Sequence, residues 1–282
     1  MWITEERLRR LPRTDLDFII ETVVTRRRDY DNIREIIQDK PDFIDVMLDD
    51  EKLFRRVVAD EEILLKISPY LLFTILLRRA HRDLQKSSYT MEYVGRDQKV
   101  PVFDAKEVAE FLNDKDVRDY LAEMLSTFTK TESTTIYFRS GRTTYKRTYS
   151  DMSINDMTEL AGMVKEEFRF PFYKRIGDVC LFMTGIFPEH VVSEGGELRG
   201  ERSWMSIGVR AQRGIEEYET KGREFYRQAS YEEAARAAGL DRVLAAIADN
   251  FTLARKPLNL ISERYIPARR LQWFGPGVKI EG

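Results

Sequence analysis

The sequence predicts a mainly α protein, a globular unit of many helices with two small antiparallel β-hairpins at about 88–103 and 133–149. Apolar residues recur at helical spacing through most of the chain, whereas in the two hairpin segments they alternate with polar residues. Apolar residues make up 43% and charged residues 33% of the 282 positions, which is typical of a folded chain rather than a disordered one.

Residues 1–87 are predicted to form an N-terminal lobe of short amphipathic helices. Thr14 is placed to cap the first of these helices. The clearest start signal is Ser68 followed by Pro69, because this pair puts a capping side chain before a proline at the first helical position. The helix that this pair opens is apolar at first and basic toward its end, where it carries three arginines and a histidine: Arg78, Arg79, His81 and Arg82.

Residues 88–282 are predicted to form a C-terminal lobe that contains both hairpins. In the first hairpin Gly95-Arg96-Asp97 has turn chemistry, and Pro101 restricts its second strand to a sheet edge. Helices are predicted to begin near Asp104, Asp116, Ser153, Ile207, Ser230 and Leu240, with Gly239 closing the one capped by Ser230 and with residues 257–282 less regular. Because no Pro-rich or Ser-rich linker marks a boundary, a single compact domain is the alternative to two lobes.

The segment around residues 176–187 is the most apolar part of the chain. Its apolar residues cover almost every direction of a helical projection, and Asp178 is its single charged residue. A helix that is apolar all round is buried by neighbours on several sides. With roughly 12 residues it is too short to cross a bilayer, so we predict a core helix and no membrane partner.

Part of this segment resembles a stretch found in uncharacterised bacterial helical proteins, of the form Gly-Asp-x-x-Leu-Phe-x-x-Gly-x-Phe-Pro-Glu. The matching residues are Gly177, Asp178, Leu181, Phe182, Gly185, Phe187, Pro188 and Glu189. The resemblance covers about a tenth of the chain. It implies a helical fold of bacterial origin and carries no activity with it.

Composition and motifs argue against several classes of function. The net charge of −2 gives no overall attraction to nucleic acid, and Cys180, the single cysteine, excludes an intramolecular disulfide framework. The charged N-terminus lacks the apolar run of a signal peptide, so we expect a cytoplasmic protein. His81 and His190 are interpreted as surface or capping residues without metal-ligand spacing. We therefore predict no catalytic residue, no metal and no cofactor.

Asp178 is the first candidate site residue. A carboxylate in an apolar helix needs a cation, and Lys174 and Arg175 lie one turn away. We interpret Asp178 as an internal ion pair that fixes the position of the helix. The alternative is a buried functional acid, part of a carboxylate site with Glu189. Cys180 is interpreted as a structural residue of the same helix.

The second candidate site is the hairpin at 133–149, where Ser140-Gly141 is predicted as the two-residue turn. It carries no acidic residue between Ser133 and Tyr149, and it places cations beside aromatic rings, as a phosphate-binding or base-binding ribbon requires. The candidate binding residues are Tyr137, Arg139, Arg142, Tyr145, Lys146 and Arg147. The alternative is a solvated outer face whose cations protect an edge strand.

The sequence favours a non-catalytic intracellular binding or regulatory protein with an unknown protein or small-molecule partner. One alternative is a nucleic-acid or phosphorylated-ligand binder that uses the 133–149 hairpin together with Arg78, Arg79 and Arg82. Another is an enzyme with a site near Asp178 and Glu189. A homo-oligomer is compatible with each of these functions.

Overall fold

Helices make up most of the structure, and its strands form two separate two-stranded antiparallel sheets. The computed structural model describes residues 10–25, 29–40, 42–95, 98–130, 132–140, 143–193 and 214–274. The mainly α fold with two small hairpins is confirmed. No helix in these ranges has the length and apolar character that a bilayer span requires.

The N-terminal helices lead into a long helix that packs against both parts of the chain. They are α1 (Arg13–Val23), α2 (Tyr30–Asp39), α3 (Asp42–Leu48), α4 (Glu51–Ala59), α5 (Ile63–Lys66) and α6 (Pro69–Gln85). Ser68 caps α6 as predicted, because its hydroxyl accepts a hydrogen bond from the Leu71 amide at 3.1 Å. Thr14 is not a cap, because α1 already begins at Arg13 and Pro12 occupies the capping position.

The two hairpins are separated by two helices. The elements in this region are β1 (Thr90–Gly95), β2 (Gln98–Val102), α7 (Ala105–Phe111), α8 (Lys115–Thr127), β3 (Ser133–Ser140) and β4 (Thr143–Ser150). In the second hairpin Ser140 pairs with Thr143, so residues 141 and 142 lie between the paired positions. The predicted turn was therefore wrong by one residue.

The remaining helices form the centre and the C-terminal part of the fold. They are α9 (Ile154–Met163), a 3-10 turn (Glu166–Phe168), α10 (Phe170–Ile186), α11 (Pro188–Ser193), α12 (Ile215–Tyr231), α13 (Glu233–Ala237), α14 (Asp241–Asp249), α15 (Phe251–Leu260), a π-helical turn (Ile261–Tyr265) and α16 (Arg270–Phe274). Residues 207–213, at the start of the predicted helix near Ile207, lie outside the described residues. Gly239 has a φ of +67°, which suits the predicted helix end.

Three predictions in this part were wrong. Ser230 does not cap a new helix, because α12 continues through Tyr231 and the Ser230 hydroxyl donates to the carbonyl of Arg227. The helix predicted to begin near Leu240 is divided at Asn250, whose φ of −118° and ψ of 37° interrupt it. The segment from Pro257 is more regular than predicted, since this proline lies inside α15. Its ring removes one backbone donor, a loss that a buried helix tolerates when packing holds it.

Helix α10 is the centre of the fold, as its apolar pattern predicts. It packs against α9, α11, α12 and α15, and every residue from Ile176 to Ile186 is buried. Two glycines of α10 allow side chains of neighbouring helices to lie close to its backbone. An added Cβ would lie 2.7 Å from the Tyr226 ring at Gly177 and 2.7 Å from Leu258 at Gly185.

The aromatic residues near the C-terminus dock onto this core. Trp273 and Phe274 are 2% and 1% exposed, and Phe274 lies 5.0 Å from the Phe182 ring and stacks on Phe73 at 5.5 Å. Helix α6 likewise packs against α7, α8 and α15, so the predicted N-terminal lobe is joined to the rest of the chain through buried side chains.

Candidate functional site

The second hairpin separates its side chains into two faces of different character. Opposite residues in an antiparallel pair point the same way, so Ile136, Phe138 and Tyr145 share one face. Phe138 and Tyr145 stack with ring centres 5.4 Å apart. Tyr137 and Lys146, which pair directly, lie on the other face, and Tyr137 is 69% exposed.

The cations predicted to act together in this hairpin have different surroundings. Arg147 forms an ion pair with Glu159 at 2.5 Å, so a helix that follows the hairpin neutralises it. Arg139 and Lys146 are exposed, and no described residue forms an ion pair with either. Arg142 lies outside the described residues. The exposed face of the hairpin thus offers two cations beside Tyr137.

Asp178 lies in a sealed network at the centre of the fold. Its carboxylate is 2% exposed and accepts hydrogen bonds from the hydroxyls of Tyr120 at 2.6 Å and Tyr226 at 2.8 Å. Its other oxygen lies 2.8 Å from the Lys174 ammonium. Burial, followed by the charge of Asp178, raises the pKa of each tyrosine well above 10, so both hydroxyls remain donors at neutral pH.

The two acids of the carboxylate-site hypothesis take separate partners. Glu189 forms an ion pair with Arg270 at 2.7 Å, between α11 and α16. Asp178 takes Lys174 rather than Arg175, which binds Asp151 at 2.6 Å instead. Within the described ranges, no group of three or more His, Cys, Asp or Glu side chains is arranged to hold a metal ion.

The strongest candidate for ligand binding is a cleft beside the C-terminal half of α6, which we call the basic cleft. It has a volume of about 300 Å³. It combines side chains of α6 and α8 with acids at the end of α3. The lining residues are Asp45, Asp49, Arg78, His81, Arg82, Gln85, Lys115 and Arg118.

Positive charge exceeds negative charge in the basic cleft. Four basic side chains stand against two carboxylates. Both acids are bound to Arg78, which is 8% exposed, and Asp45 also lies 3.2 Å from the Lys115 ammonium. The Arg82 guanidinium donates to the backbone carbonyl of Asp49 and forms no ion pair with any described acid. The side chains that line the cleft therefore carry a net positive charge.

His81 adds a titratable group to the basic cleft. Its Nε2 lies 3.0 Å from Oδ1 of Asn113 and 3.3 Å from the Gln85 amide. Burial, followed by the charge of Arg118, lowers the pKa of His81 below 6.5. The imidazole is therefore neutral at pH 7, and an anion placed in the cleft would favour its protonation.

Sequence reasoning identified part of this cleft and misassigned part of its surroundings. Arg78 and Arg82 line it, but Arg79 points elsewhere and pairs with Glu51 and Asp83. Lys115 and Arg118 were missed because they come from α8, whose position beside α6 depends on tertiary packing. One signal was present: Arg78, Arg82 and Gln85 follow helical spacing on one face of α6.

No known protein family, curated protein or solved structure shows significant similarity to this chain. The resemblance of residues 177–189 to uncharacterised bacterial proteins accordingly remains a prediction.

Proposed function

We propose that this chain is a non-catalytic intracellular binding protein, and that the basic cleft holds a phosphorylated small molecule. The single observation that carries the proposal is the excess of positively charged side chains in one cleft of about 300 Å³, where, among the described residues, Arg82 bonds only to a backbone carbonyl. A volume of this size accommodates a small ligand rather than a polymer.

The chemistry of the lining side chains favours phosphate over other anions. Guanidinium groups present planar pairs of N–H donors that match two phosphate oxygens, and charge-assisted bonds of this kind are the stronger ones. Arg78, already held by Asp45 and Asp49, supplies a fixed positive charge, while Arg82 supplies an available fork. Lys115 adds a point charge at the same cleft.

Isothermal titration calorimetry with inorganic pyrophosphate tests this function. We expect saturable binding that weakens with added salt, and that weakens about tenfold or more in Arg82→Gln, since a hydrogen bond to a charged group contributes about 1.5–3 kcal/mol. The matched control is Arg139→Gln, which removes an exposed cation from the hairpin. Equal affinities for wild type and Arg82→Gln, or a loss confined to Arg139→Gln, would contradict the proposal.

A second candidate function is binding of single-stranded nucleic acid on the exposed face of the second hairpin. The observation that favours it is the position of Arg139 and Lys146 beside the exposed ring of Tyr137, with no described ion-pair partner for either cation. Bases stack on such rings while cations contact the backbone.

This second function predicts retardation of a single-stranded oligonucleotide at low salt. The double change Arg139→Glu with Lys146→Glu should abolish retardation, because it reverses both charges on that face. Arg147→Gln serves as the comparison, since Arg147 is already paired with Glu159. Absence of retardation by the wild-type protein at low salt would end this candidate.

A further inference from the structure

A second cavity lies on the other side of α6, between the end of that helix, strand β1 and the start of the π-helical turn. Its volume is about 250 Å³, equivalent to about eight water molecules at ~30 Å³ each. Its lining includes Lys256, which is only 3% exposed, and Asn259, which is 6% exposed. Buried polar side chains at a cavity wall are unusual, because each must be satisfied by fixed partners or by a ligand.

Lys256 is held by partners that leave part of its hydrogen-bonding capacity unused. Its ammonium contacts the carboxylates of Asp104 and of Glu92, the latter at 3.1 Å. Thr90 donates to the other oxygen of Asp104 at 2.6 Å, which fixes that carboxylate. An ammonium has three N–H donors, and the described residues take up two of them, so Lys256 has one left for a ligand. Asp104 was predicted only as a helix cap; its side chain makes no capping bond and is used here instead.

Asn259 supplies a hydrogen-bond acceptor, whereas Lys256 supplies a donor. Its amide nitrogen donates to the carbonyls of Thr184 and Gly185 at 3.0 and 2.9 Å. Both N–H groups are therefore used, whereas no described residue donates to the side-chain oxygen, which remains as an acceptor on a residue of the cavity wall. The cavity thus combines a cationic donor with a neutral acceptor, each on a buried side chain.

The charges around the cavity are balanced. Two acids, Asp83 and Glu263, and two bases, Lys256 and Arg264, line it. Each already has an oppositely charged partner: Asp83 lies 3.0 Å from Arg79 and 3.5 Å from Arg264, Glu263 lies 3.0 Å from Lys99, and Lys256 contacts Asp104 and Glu92. An ion of one sign would leave an uncompensated charge in a partly enclosed space, whereas a molecule carrying both signs would not. Leu84, Met91 and Leu260 supply an apolar part of the wall.

We propose that this cavity binds a free amino acid with an apolar side chain. The ligand carboxylate would lie toward Lys256 and Arg264, its ammonium toward Asn259, Asp83 and Glu263, and its side chain on the apolar wall. This inference is independent of phosphate binding in the basic cleft, because the two cavities share no lining residue.

The test is isothermal titration calorimetry with L-leucine and with two analogues that each lack one charge, 4-methylpentanoate and 3-methylbutylamine. We expect saturable binding of L-leucine and at least tenfold weaker binding of both analogues. Arg264→Gln should weaken L-leucine binding several-fold, because it removes one proposed partner of the ligand carboxylate. The Arg264 side chain is 64% exposed, so it can be changed without disturbing the core. Ser87→Trp, which places a large ring at the cavity, should abolish binding.

Arg82→Gln is the matched control, since it alters the basic cleft and should leave L-leucine affinity unchanged. Failure of L-leucine, L-methionine and L-valine to bind the folded wild-type protein would overturn the proposal. Binding of an analogue as tight as that of L-leucine, or full binding by a folded Ser87→Trp variant, would also overturn it. None of these outcomes bears on pyrophosphate binding, which is measured separately.

Discussion

The ring of Tyr226 lies directly against the backbone of Gly177, where an added Cβ would be 2.7 Å from Cδ1 of the ring. The hydroxyl of the same tyrosine donates to Asp178, the next residue along α10. One side chain of α12 therefore sets both the distance and the position of α12 against α10. The glycine permits the approach and the carboxylate fixes it.

Replacing Gly177 by alanine should destabilise the protein by about 1–3 kcal/mol, because the new methyl group would collide with the Tyr226 ring in a packed core. Urea unfolding measures the change. The matched control is Gly162→Ala in α9, where nothing lies within 4 Å of an added Cβ. That variant should gain about 0.5–1 kcal/mol, since alanine is the better helix former. A Gly177→Ala protein as stable as Gly162→Ala would contradict the close approach.

Removal of the Asp178 carboxylate should have a larger effect. Asp178→Ala leaves the Lys174 ammonium and two buried tyrosine hydroxyls without their acceptor. We expect a loss of about 3 kcal/mol in the free energy of unfolding, the lower end of the range for breaking a buried pair. Adding Tyr120→Phe and Tyr226→Phe to Asp178→Ala should restore part of the loss, because it removes the orphaned donors. Independent, additive effects of the three changes would argue against a connected network.

The glycines, acids and aromatic residues of the segment 177–189 have structural roles at most of their positions. Gly177 and Gly185 admit Tyr226 and Leu258, Asp178 forms the buried network, and Glu189 pairs with Arg270. Phe182 and Phe187 belong to the aromatic cluster that receives Phe274. The segment the sequence singled out therefore organises packing, and the candidate ligand sites lie elsewhere.

The aromatic residues near the C-terminus should contribute strongly to stability. Phe274→Ala removes a ring that contacts Phe73, Phe182 and Phe187, and we expect a loss of about 3–5 kcal/mol. Leu271→Ala, at a neighbouring position that is 47% exposed, should change stability by less than about 0.5 kcal/mol. Equal, small effects in thermal or urea unfolding would contradict the docking of this segment.

Local features of the fold could be predicted from the sequence because they depend on neighbouring residues. Ser68 with Pro69 set the start of α6, and alternation identified both hairpins. Features that depend on residues distant in the sequence could not be predicted in this way. Arg147 was predicted to bind a ligand, but in the fold it pairs with Glu159 of α9. Asp104 was predicted to start a helix, but its side chain pairs with Lys256 of α15.

The same limit explains why the second cavity and the full lining of the basic cleft were not predicted. The basic cleft combines α6 with Lys115 and Arg118, and the second cavity requires Pro257 to lie within a helix. Proline in a helix is disfavoured locally, and tertiary packing overrides that preference here.

The lowered pKa of His81 makes a prediction about stability and pH. Because the folded-state pKa lies below 6.5, the unfolded chain binds more protons just below that pH. The contribution of His81 is therefore fully present above pH 6.5 and is lost as the pH falls. Between pH 7.5 and 5.5 wild type should lose more stability than His81→Gln, whose amide can still reach Asn113. An equal loss in the two proteins, measured by urea unfolding, would contradict the burial of the imidazole.

The most direct test of the account is the proton NMR titration of His81 with and without inorganic pyrophosphate. The chain has only two histidines, so the His81 signal can be assigned by comparison with His81→Gln. We predict a pKa below 6.5 for the free protein and a clear rise when pyrophosphate is bound, because an anion in the basic cleft stabilises the imidazolium. The signal of His190, which does not line the basic cleft, serves as the internal control. A His81 pKa that is the same with and without saturating pyrophosphate would contradict the proposed function of the cleft.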